Sequence, residues 1–332
     1  MSKKSAKGKA NKKTKEPSAS DTLVMATVIR TVGSSHRVRT EDGRVFEAIV
    51  RGKFRIANLQ TTNPVAVGDL VMTTLPEADE PGIIWELIPR KNYLLRKAIA
   101  HARRVHILAA NLDQAVLIFT LKEPRTAPGF ADRFLVVCEA YDIPASIFIN
   151  KTDLLTTPEE LALLEATCDS YRKAGYDVYP ISALNEEHQQ QVKSVLANKL
   201  SFIGGHSGAG KTTLVNLIDP TLDLKTGEIS EYSGKGTHTT THAEMHDLAF
   251  GGAIIDSPGI KEWGLVEMTP GELGHYFPEI RSRIGECRFQ DCLHKFEPAC
   301  AIRTAANEGE ISISRYEGYL RLLEEIKEDK EF

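Results

Sequence analysis

The sequence of 332 residues has no long apolar stretch and few cysteines, and each shortage argues against a class of protein. No stretch approaches the roughly 20 consecutive apolar residues that a membrane-spanning helix requires, and the N-terminus lacks the apolar run of a signal peptide. Five cysteines are too few for a disulfide framework in a chain of this length. The sequence therefore predicts a cytoplasmic protein without a membrane anchor, and nothing in it requires more than a monomer.

Positive charge is concentrated at the start of the chain. Residues 1–20 contain seven lysines and one glutamate, and the remainder has 34 basic and 44 acidic residues. Such a lysine-rich segment has almost no large apolar residues to bury, so we expect it to be disordered. Its role has two open interpretations: a solubilising tail or start-site artefact, and an arm that binds the phosphates of nucleic acid.

Three sequence patterns divide the rest of the chain into domains. Residues 21–95 contain short β-branched runs separated by turn residues, which predicts an all-β, OB-type barrel. Residues 96–265 alternate apolar strands with helical spacing, which predicts an α/β domain with a parallel sheet wrapped by helices. Residues 266–332 give short helical signals around a cysteine and histidine cluster, which predicts a mainly helical C-terminal module.

Two local predictions concern the edges of these domains. A basic, partly helical connector is expected over residues 89–111, at the boundary between the first two domains. A helix is expected from about Ser314 to Lys330, with Ser314 and Glu317 forming a capping box.

The predicted barrel contains cations interleaved with aromatic residues: Arg51, Lys53 and Arg55 alternate with Phe46 and Phe54. Such a set can bind the phosphates of single-stranded RNA and stack on its bases. The alternative is that both phenylalanines are core residues and the cations form a solvated edge. The sequence leaves both interpretations open.

The strongest motif follows the apolar strand Leu200 to Ile203 and precedes a helical segment. It matches the P-loop pattern, in which backbone N–H groups converge on phosphates, the lysine reaches the β and γ phosphates, and the final hydroxyl binds Mg²⁺. Its residues are Gly205, His206, Ser207, Gly208, Ala209, Gly210, Lys211 and Thr212, with Thr213 next in the helix.

Two further motifs follow strands and indicate guanine as the base. In the run Asn150-Lys151-Thr152-Asp153, the Asp153 carboxylate can accept hydrogen bonds from guanine N1–H and its exocyclic amine, which adenine does not offer. Asn150 can hydrogen-bond the other side of the ring, and the Lys151 stem can lie over it. The run Ser182-Ala183-Leu184 places a small residue where an N–H can reach the guanine carbonyl.

Residues for phosphate sensing and hydrolysis are expected after the P-loop. Asp256 ends a strand and can hold Mg²⁺ through water, while Gly259 can donate its N–H to the γ-phosphate. A threonine of the segment 234–242, with Thr240 as the candidate, should complete the Mg²⁺ shell. Position 260 is isoleucine rather than a water-orienting glutamine, so His238 becomes the candidate catalytic residue. The alternative for His238 is an exposed loop imidazole without a role.

The order of these motifs is unusual. The guanine-reading runs precede the P-loop, whereas an ordinary GTPase has them last. The sequence therefore predicts a circularly permuted P-loop GTPase.

A possible metal site lies in the C-terminal module. Cys287, Cys292, His294 and Cys300 are spaced by five, two and six residues. Three thiolates and one imidazole suit a tetrahedral Zn²⁺, and four protein ligands leave no open position. We therefore expect one structural zinc ion rather than a catalytic one.

Together these motifs resemble the RsgA (YjeQ/YloQ) family of small-subunit-dependent GTPases over nearly everything after the lysine-rich tail. The resemblance implies an OB domain, a permuted GTPase domain and a zinc module. It also implies a late assembly factor that binds the 30S subunit and 16S rRNA and hydrolyses GTP faster when bound, with a role for His238. His206 departs from the glutamine expected more often at that position.

Two other functions compete with this one. The first is an RNA-binding scaffold that uses GTP occupancy as a switch, with negligible hydrolysis. The second is a GTP-dependent metal or metabolic chaperone that delivers the metal of the cysteine cluster, against which a closed four-ligand site argues.

Overall fold

The first part of the chain folds into a five-stranded barrel in this computed structural model, which describes residues 22–50, 63–77, 80–97, 105–224, 243–256 and 268–328. The strands are β1 (Leu23–Val32), β2 (Ser35–Thr40), β3 (Val45–Val50), β4 (Leu70–Thr74) and β5 (Gly82–Leu87). They pair in the order β1-β2-β3-β5-β4, and β4 also pairs with β1, so the barrel closes. The predicted all-β barrel is confirmed.

The barrel interior is filled by small and β-branched side chains, as the alternation of a half-buried strand requires. These are Ala26, Val28, Val38, Ala48, Val65, Val71 and Ile84. Phe46 packs against them, which favours its interpretation as a core residue. Arg51, Lys53, Phe54 and Arg55 lie outside the described residues, so the RNA-binding interpretation of this group stays a prediction.

The described residues of the connector after the barrel form two paired strands where the sequence predicts a partly helical segment, and residues 98–104 lie outside the described residues, so a helix within them stays a prediction. Strands β6 (Tyr93–Lys97) and β7 (Val105–Ala110) pair antiparallel. Leu94, Leu95 and Ile107 are buried, and this apolar content stabilises the strands. The domain boundary predicted at residue 95 falls within β6, and the boundaries remain a prediction.

The central domain is a six-stranded sheet with helices on both faces. Its elements are β8 (Gln114–Thr120), α1 (Pro128–Ala140), β9 (Ala145–Asn150), α2 (Pro158–Lys173), β10 (Asp177–Pro180), α3 (Glu186–Leu196), β11 (Leu200–Gly205), α4 (Lys211–Ile218), β12 (Glu244–Asp247) and β13 (Ala253–Asp256). The strand order is β10-β9-β8-β11-β13-β12. Five strands are parallel as predicted, and β12 is an additional antiparallel edge that reaches the barrel through the pair Arg30 and Glu244.

The central strand β8 shows how the sheet supports two cores. Leu117 and Phe119 point to the side covered by α1 and α2, whereas Val116 and Ile118 point to the side covered by α3 and α4. A strand buried on both faces is apolar throughout, which explains the continuous apolar run in the sequence. The carboxyl ends of the parallel strands consequently lie at one edge, where the loops carrying the motifs meet.

Between residues 268 and 328 the C-terminal domain has three short or medium α-helices: α5 (Pro278–Arg281), α6 (Ala301–Asn307) and α7 (Ile313–Glu328). Its core includes Val136 from α1, so it packs directly on the central domain. The predicted capping box is wrong, because α7 begins one residue before Ser314. The Ser312 carbonyl accepts the Tyr316 N–H at 3.0 Å, and Glu317 instead lies 4.0 Å from Arg321.

Within the described ranges, no helix is both long enough and apolar enough to span a bilayer.

Candidate nucleotide-binding site and metal cluster

The P-loop connects β11 to α4 through backbone conformations that need glycine. Gly205 has φ +150°, and a Cβ there would lie 2.5 Å from the Ile118 carbonyl oxygen. Gly210 has φ +92°, and a Cβ there would lie 2.6 Å from Asn150 Nδ2. These two glycines therefore let the loop lie against β8 and against the end of β9, which is the close approach that the motif predicts.

The remaining P-loop residues form a tight turn at the start of α4. His206 is half-buried, Ser207 and Gly208 are exposed, and Ala209 is buried. The His206 carbonyl accepts the Ala209 N–H at 3.2 Å. The turn thus directs its outer backbone toward solvent, at the positive end of the α4 dipole where an anion is stabilised.

The lysine and the hydroxyl of the motif lie in the first turn of α4. Lys211 is buried, and its Nζ donates to the carbonyls of Gly205 at 2.8 Å and His206 at 2.9 Å. Thr212 is also buried, whereas Thr213 is exposed. A buried ammonium at a helix N-terminus attracts phosphate, so the local charge suits a nucleotide.

Asn150 joins the P-loop to the second guanine-reading loop. Its Nδ2 donates to the Ala209 carbonyl at 3.0 Å, and its Oδ1 accepts the Ala183 N–H at 3.1 Å. The side chain is 2% exposed, so loss of either bond would leave a buried polar atom without its partner. This geometry makes Asn150 a residue that positions both loops, in addition to the base contact expected from the sequence.

The rest of this run lies in a tight turn after β9. Lys151 has φ +65°, and its Nζ donates to the Glu123 carbonyl. Residues Thr152–Leu154 form a 3-10 turn that is tied to the next strand by the Thr152 N–H donating to the Ile181 carbonyl at 3.1 Å. Asp153 is exposed on this turn. A carboxylate that recognises a base must be accessible before the base binds.

The Ser182-Ala183-Leu184 loop, which the sequence predicts to contact guanine, is held from α3 by residues that sequence reasoning missed. The Ser182 N–H donates to His188 Nδ1 at 2.9 Å, and Gln189 Nε2 donates to the Ala183 carbonyl at 2.8 Å. Ser182 and Ala183 are both buried. The sequence does contain one sign of these contacts. Asn185 directly follows the motif and is a residue type that caps helices, so the first turn of α3 must face the loop.

A second missed contact supports the Asp153 turn. Lys122 Nζ donates to the Leu154 carbonyl at 3.2 Å and to Glu160 Oε1 at 2.8 Å. The Lys122 hydrogen bond, followed by the backbone N–H groups of Thr156 and Thr157, lowers the pKa of Glu160 to about 2. The segment after β8 therefore helps to shape the base site, although it carries no recognisable motif.

The phosphate-sensing residues are only partly described. The backbone of Asp256 ends β13 and pairs with Ile203 of β11, which places it beside the strand that leads into the P-loop. His238, Thr240 and Gly259 lie outside the described residues. Their roles stay predictions.

The four residues of the predicted metal site come together. Cys287, Cys292, His294 and Cys300 have ligand atoms within 4.8 Å of one another. Cys287 Sγ lies 3.9 Å from Cys300 Sγ, and His294 Nδ1 lies 3.5 Å and 3.6 Å from these two sulfurs. Two thiolates bound to a tetrahedral zinc at about 2.3 Å would be about 3.8 Å apart, so the cluster fits that ion.

The cluster is supported by hydrogen bonds to its backbone. Tyr316 donates its hydroxyl to the His294 carbonyl at 2.6 Å, and Tyr319 donates to the Leu293 carbonyl at 2.9 Å. Burial raises the pKa of the Cys292 and Cys300 thiols. Thiolates crowded at this position therefore need a cation to stabilise them, and a metal ion held by the cluster would supply it.

The sequence matches the family model described as RsgA GTPase over residues 87–266. It is 47% identical to the small ribosomal subunit biogenesis GTPase RsgA of Christiangramia forsetii, over 91% of this chain and 96% of that protein. It is 44% identical to the protein of the same name from Phocaeicola vulgatus, over 91% of this chain and 97% of that one. The similarity therefore extends from the barrel to the C-terminal module.

Two solved structures show the same architecture. YloQ, described as a circularly permuted GTPase, aligns with a TM-score of 0.71 and 30% identity over 95% of this chain and 99% of its own. YjeQ from Thermotoga maritima aligns with a TM-score of 0.73 and 31% identity over 92% of this chain and 99% of its own. The predicted permuted domain and its two flanking domains are thereby confirmed.

Proposed function

The chain belongs to the RsgA GTPase family, and we propose that it hydrolyses GTP during late maturation of the small ribosomal subunit, faster when the 30S subunit is bound. The main support is similarity over 91% of the chain to relatives named for small ribosomal subunit biogenesis. Its partners in this proposal are the 30S subunit and 16S rRNA, which place it in the cytoplasm.

The described site supports guanine nucleotides as the ligand. Asp153 is exposed on a turn that Lys122 fastens to α2, and Asn150 holds the neighbouring Ser182-Ala183 loop at hydrogen-bonding distance. Asp153 reads the guanine edge in this proposal, and the N–H groups of the P-loop bind the phosphates with Lys211. Mg²⁺ bound with GTP would be held by Thr212, Asp256 and Thr240, where it neutralises phosphate charge.

Hydrolysis needs a group that orients or activates water, and we assign this role to His238. The glutamine that many GTPases place after the phosphate-sensing glycine is replaced here by Ile260, which has no polar atom to offer. An imidazole is suited to proton transfer near neutral pH. Replacing His238 with alanine should lower the 30S-stimulated rate by about 100-fold, while GDP binding persists.

The cysteine cluster in this proposal holds one structural Zn²⁺. Its four protein ligands leave no position for water or a transferable substrate, which disfavours both a catalytic role and metal delivery. The ion would fix the loop between α5 and α6, whose residues have little apolar core of their own.

The decisive measurement is steady-state GTP hydrolysis by the purified protein alone, with 30S subunits, and with 50S subunits as the control. A large rise with 30S subunits only supports the proposal. Binding of 30S subunits without any rise would contradict it and would favour the nucleotide-gated scaffold instead.

A further inference from the structure

We propose that the C-terminal domain positions the P-loop through helix α1, with Phe130 as the positioning residue for His206 and Lys211. Phe130 and the contacts between α1 and the C-terminal domain lie outside the nucleotide motifs and belong to the described part of the chain. It would hold for guanine-nucleotide binding whether or not a ribosomal subunit stimulates hydrolysis.

The contact at the P-loop is an aromatic stack. The Phe130 ring, in the first turn of α1, lies 4.0 Å from the His206 ring between centroids, with 35° between the planes. Burial and, secondarily, the charge of Lys211 lower the pKa of His206. A neutral imidazole stacks on an apolar ring without the cost of desolvating a charge, so the two rings form a stable contact at neutral pH.

His206 passes this constraint to the phosphate-binding lysine. Its carbonyl accepts the Lys211 Nζ at 2.9 Å and the Ala209 N–H at 3.2 Å. The side chain of His206 is therefore held by α1 while its backbone holds the turn that carries the phosphate-facing N–H groups. Displacement of the ring would loosen both contacts.

Further along α1, one face of the helix is fixed to the C-terminal domain. Asp132, Val136 and Glu139 are spaced by four and three residues and so share a face. Asp132 Oδ1 accepts from Arg315 Nη1 at 2.7 Å, Val136 belongs to the C-terminal core, and Glu139 Oε2 accepts from Arg281 Nη1 at 2.8 Å. The adjacent residues of α1 face the sheet. The helix is thus shared between the nucleotide domain and the C-terminal domain.

The most deeply buried of these contacts is the pair of Asp132 and Arg315, each 1% exposed. Arg315 also donates to Glu279 of α5 at 2.7 Å and 3.3 Å. Asp132 Oδ2 lies buried without a hydrogen-bond partner among the described residues, and a Cβ on Gly318 would lie 2.1 Å from it. The glycine therefore permits α7 to approach α1 closely, and the arginine then holds both helices in one register.

The C-terminal domain and the nucleotide site should stabilise each other. A C-terminal domain that holds α1 in place favours the P-loop geometry that binds phosphate, and nucleotide binding must then stabilise α7 by the same coupling free energy. Breaking the stack should remove this coupling and leave the two domains individually folded.

The test compares Phe130→Ala with Tyr141→Ala in the full-length, zinc-loaded protein. Tyr141 is the matched control, because it follows the other end of α1 and stacks on Tyr93 with centroids 5.1 Å apart, away from the P-loop. Nucleotide affinity is measured with fluorescent GDP and GTP, and amide hydrogen exchange of α7 is measured with and without GDP. Far-UV circular dichroism and thermal unfolding confirm that each variant has folded.

We expect Phe130→Ala to weaken both affinities by about three- to tenfold, the effect of one aromatic pair, and to remove the GDP-dependent protection of α7. Phe130→Tyr should restore both, and Tyr141→Ala should leave both as in the wild type. Wild-type affinity in Phe130→Ala, or GDP-dependent protection of α7 that persists in that variant, would overturn the proposal. If the alanine variant fails to fold, Phe130→Leu gives the same comparison with the apolar volume largely retained.

Discussion

The central and C-terminal domains differ in what stabilises their functional residues. The nucleotide motifs lie on loops at the ends of sheet strands that are buried on both faces, so the sheet positions them. The four metal-site residues lie in short turns with a small apolar core and need the cluster itself and its supporting tyrosines. The nucleotide motifs should therefore keep their structure when the nucleotide is absent, whereas the metal-site turns should lose theirs when the metal is removed.

The largest expected effect comes from removing a metal ligand. Cys292→Ser should abolish stoichiometric zinc and unfold the turns between α5 and α6, because binding of a structural zinc ion contributes about 10 kcal/mol or more. Elemental analysis and hydrogen exchange measure the two effects. Nucleotide affinity should fall by no more than it does in Phe130→Ala, since our proposal couples the C-terminal domain to the P-loop through α1 and Phe130.

Cys168→Ser is the control for this variant. Cys168 is a buried thiol in α2 outside the cluster, so its replacement should leave zinc binding intact. Stoichiometric zinc in Cys292→Ser would show that the proposed ligand set is wrong.

The next effect concerns the base site and should be confined to the central domain. Asp153→Asn replaces an acceptor by an amide that can donate to the C2 carbonyl of xanthine. We expect preference to shift from GTP to XTP by about 10⁴-fold, the scale found where a hydrogen-bonding pocket rejects a ligand that lacks the matching group. Competition binding with GTP and XTP measures the shift, with zinc content as the check on the C-terminal domain. Unchanged base preference would remove Asp153 from the site.

Removal of the buried ion pair between the domains should have the third-largest effect. Arg315→Met leaves Asp132 and Glu279 buried without their cation, at a cost of about 3–5 kcal/mol. Urea unfolding measures the loss in the free energy of unfolding, and hydrogen exchange in α7 measures its local effect. The matched control is Arg283→Ala, whose partner Glu310 is half exposed, and which should cost about 1 kcal/mol or less.

The stability lost in Arg315→Met should depend on pH, and the pKa of Asp132 gives the direction of that dependence. Burial raises the pKa of Asp132, so the folded state favours its protonated form more than the unfolded state does. Stability from this group is present at low pH and is lost as the pH rises through the raised folded-state pKa. Arg315→Met removes the cation that opposes this shift, so its destabilisation should be smaller at pH 5 than at pH 8. A loss independent of pH would argue against a buried, uncompensated carboxylate.

The two domains also differ in how far the sequence predicts them. Period-two and continuous apolar runs located β8, β9, β10, β11 and β13, because a buried strand needs such residues. Local composition was insufficient for β6 and β7: the sequence predicts a partly helical connector over residues 89–111, whereas its described residues form strands in which Leu94 and Ile107 are buried. In the C-terminal domain the spacing of Cys287 to Cys300 predicted the cluster, but the pairing of Arg315 with Asp132 depends on residues far apart in sequence.

The contacts within the nucleotide site show the same limit. The P-loop and the Asn150 run were found because their chemistry requires particular residues at fixed spacing. Phe130, Lys122 and His188 act by contacting these motifs, and any apolar, cationic or imidazole side chain at those positions looks ordinary in the sequence. Tertiary packing alone determines their roles.

The smallest effect contrasts two helix caps, one in each domain. Thr157 caps α2 through its hydroxyl in a capping box with Glu160, whereas α6 is capped by the Cys300 thiol, which also belongs to the metal cluster. Thr157→Ala should cost about 1 kcal/mol in the free energy of unfolding of the central domain, with zinc retained and the neighbouring exposed Thr156→Ala as control. Cys300→Ser retains a capping oxygen but removes a metal ligand, so it should instead release zinc. If Cys300→Ser released its zinc yet lost only as much stability as Thr157→Ala, the C-terminal domain would be stabilised by its core alone, and the contrast between the two domains would fail.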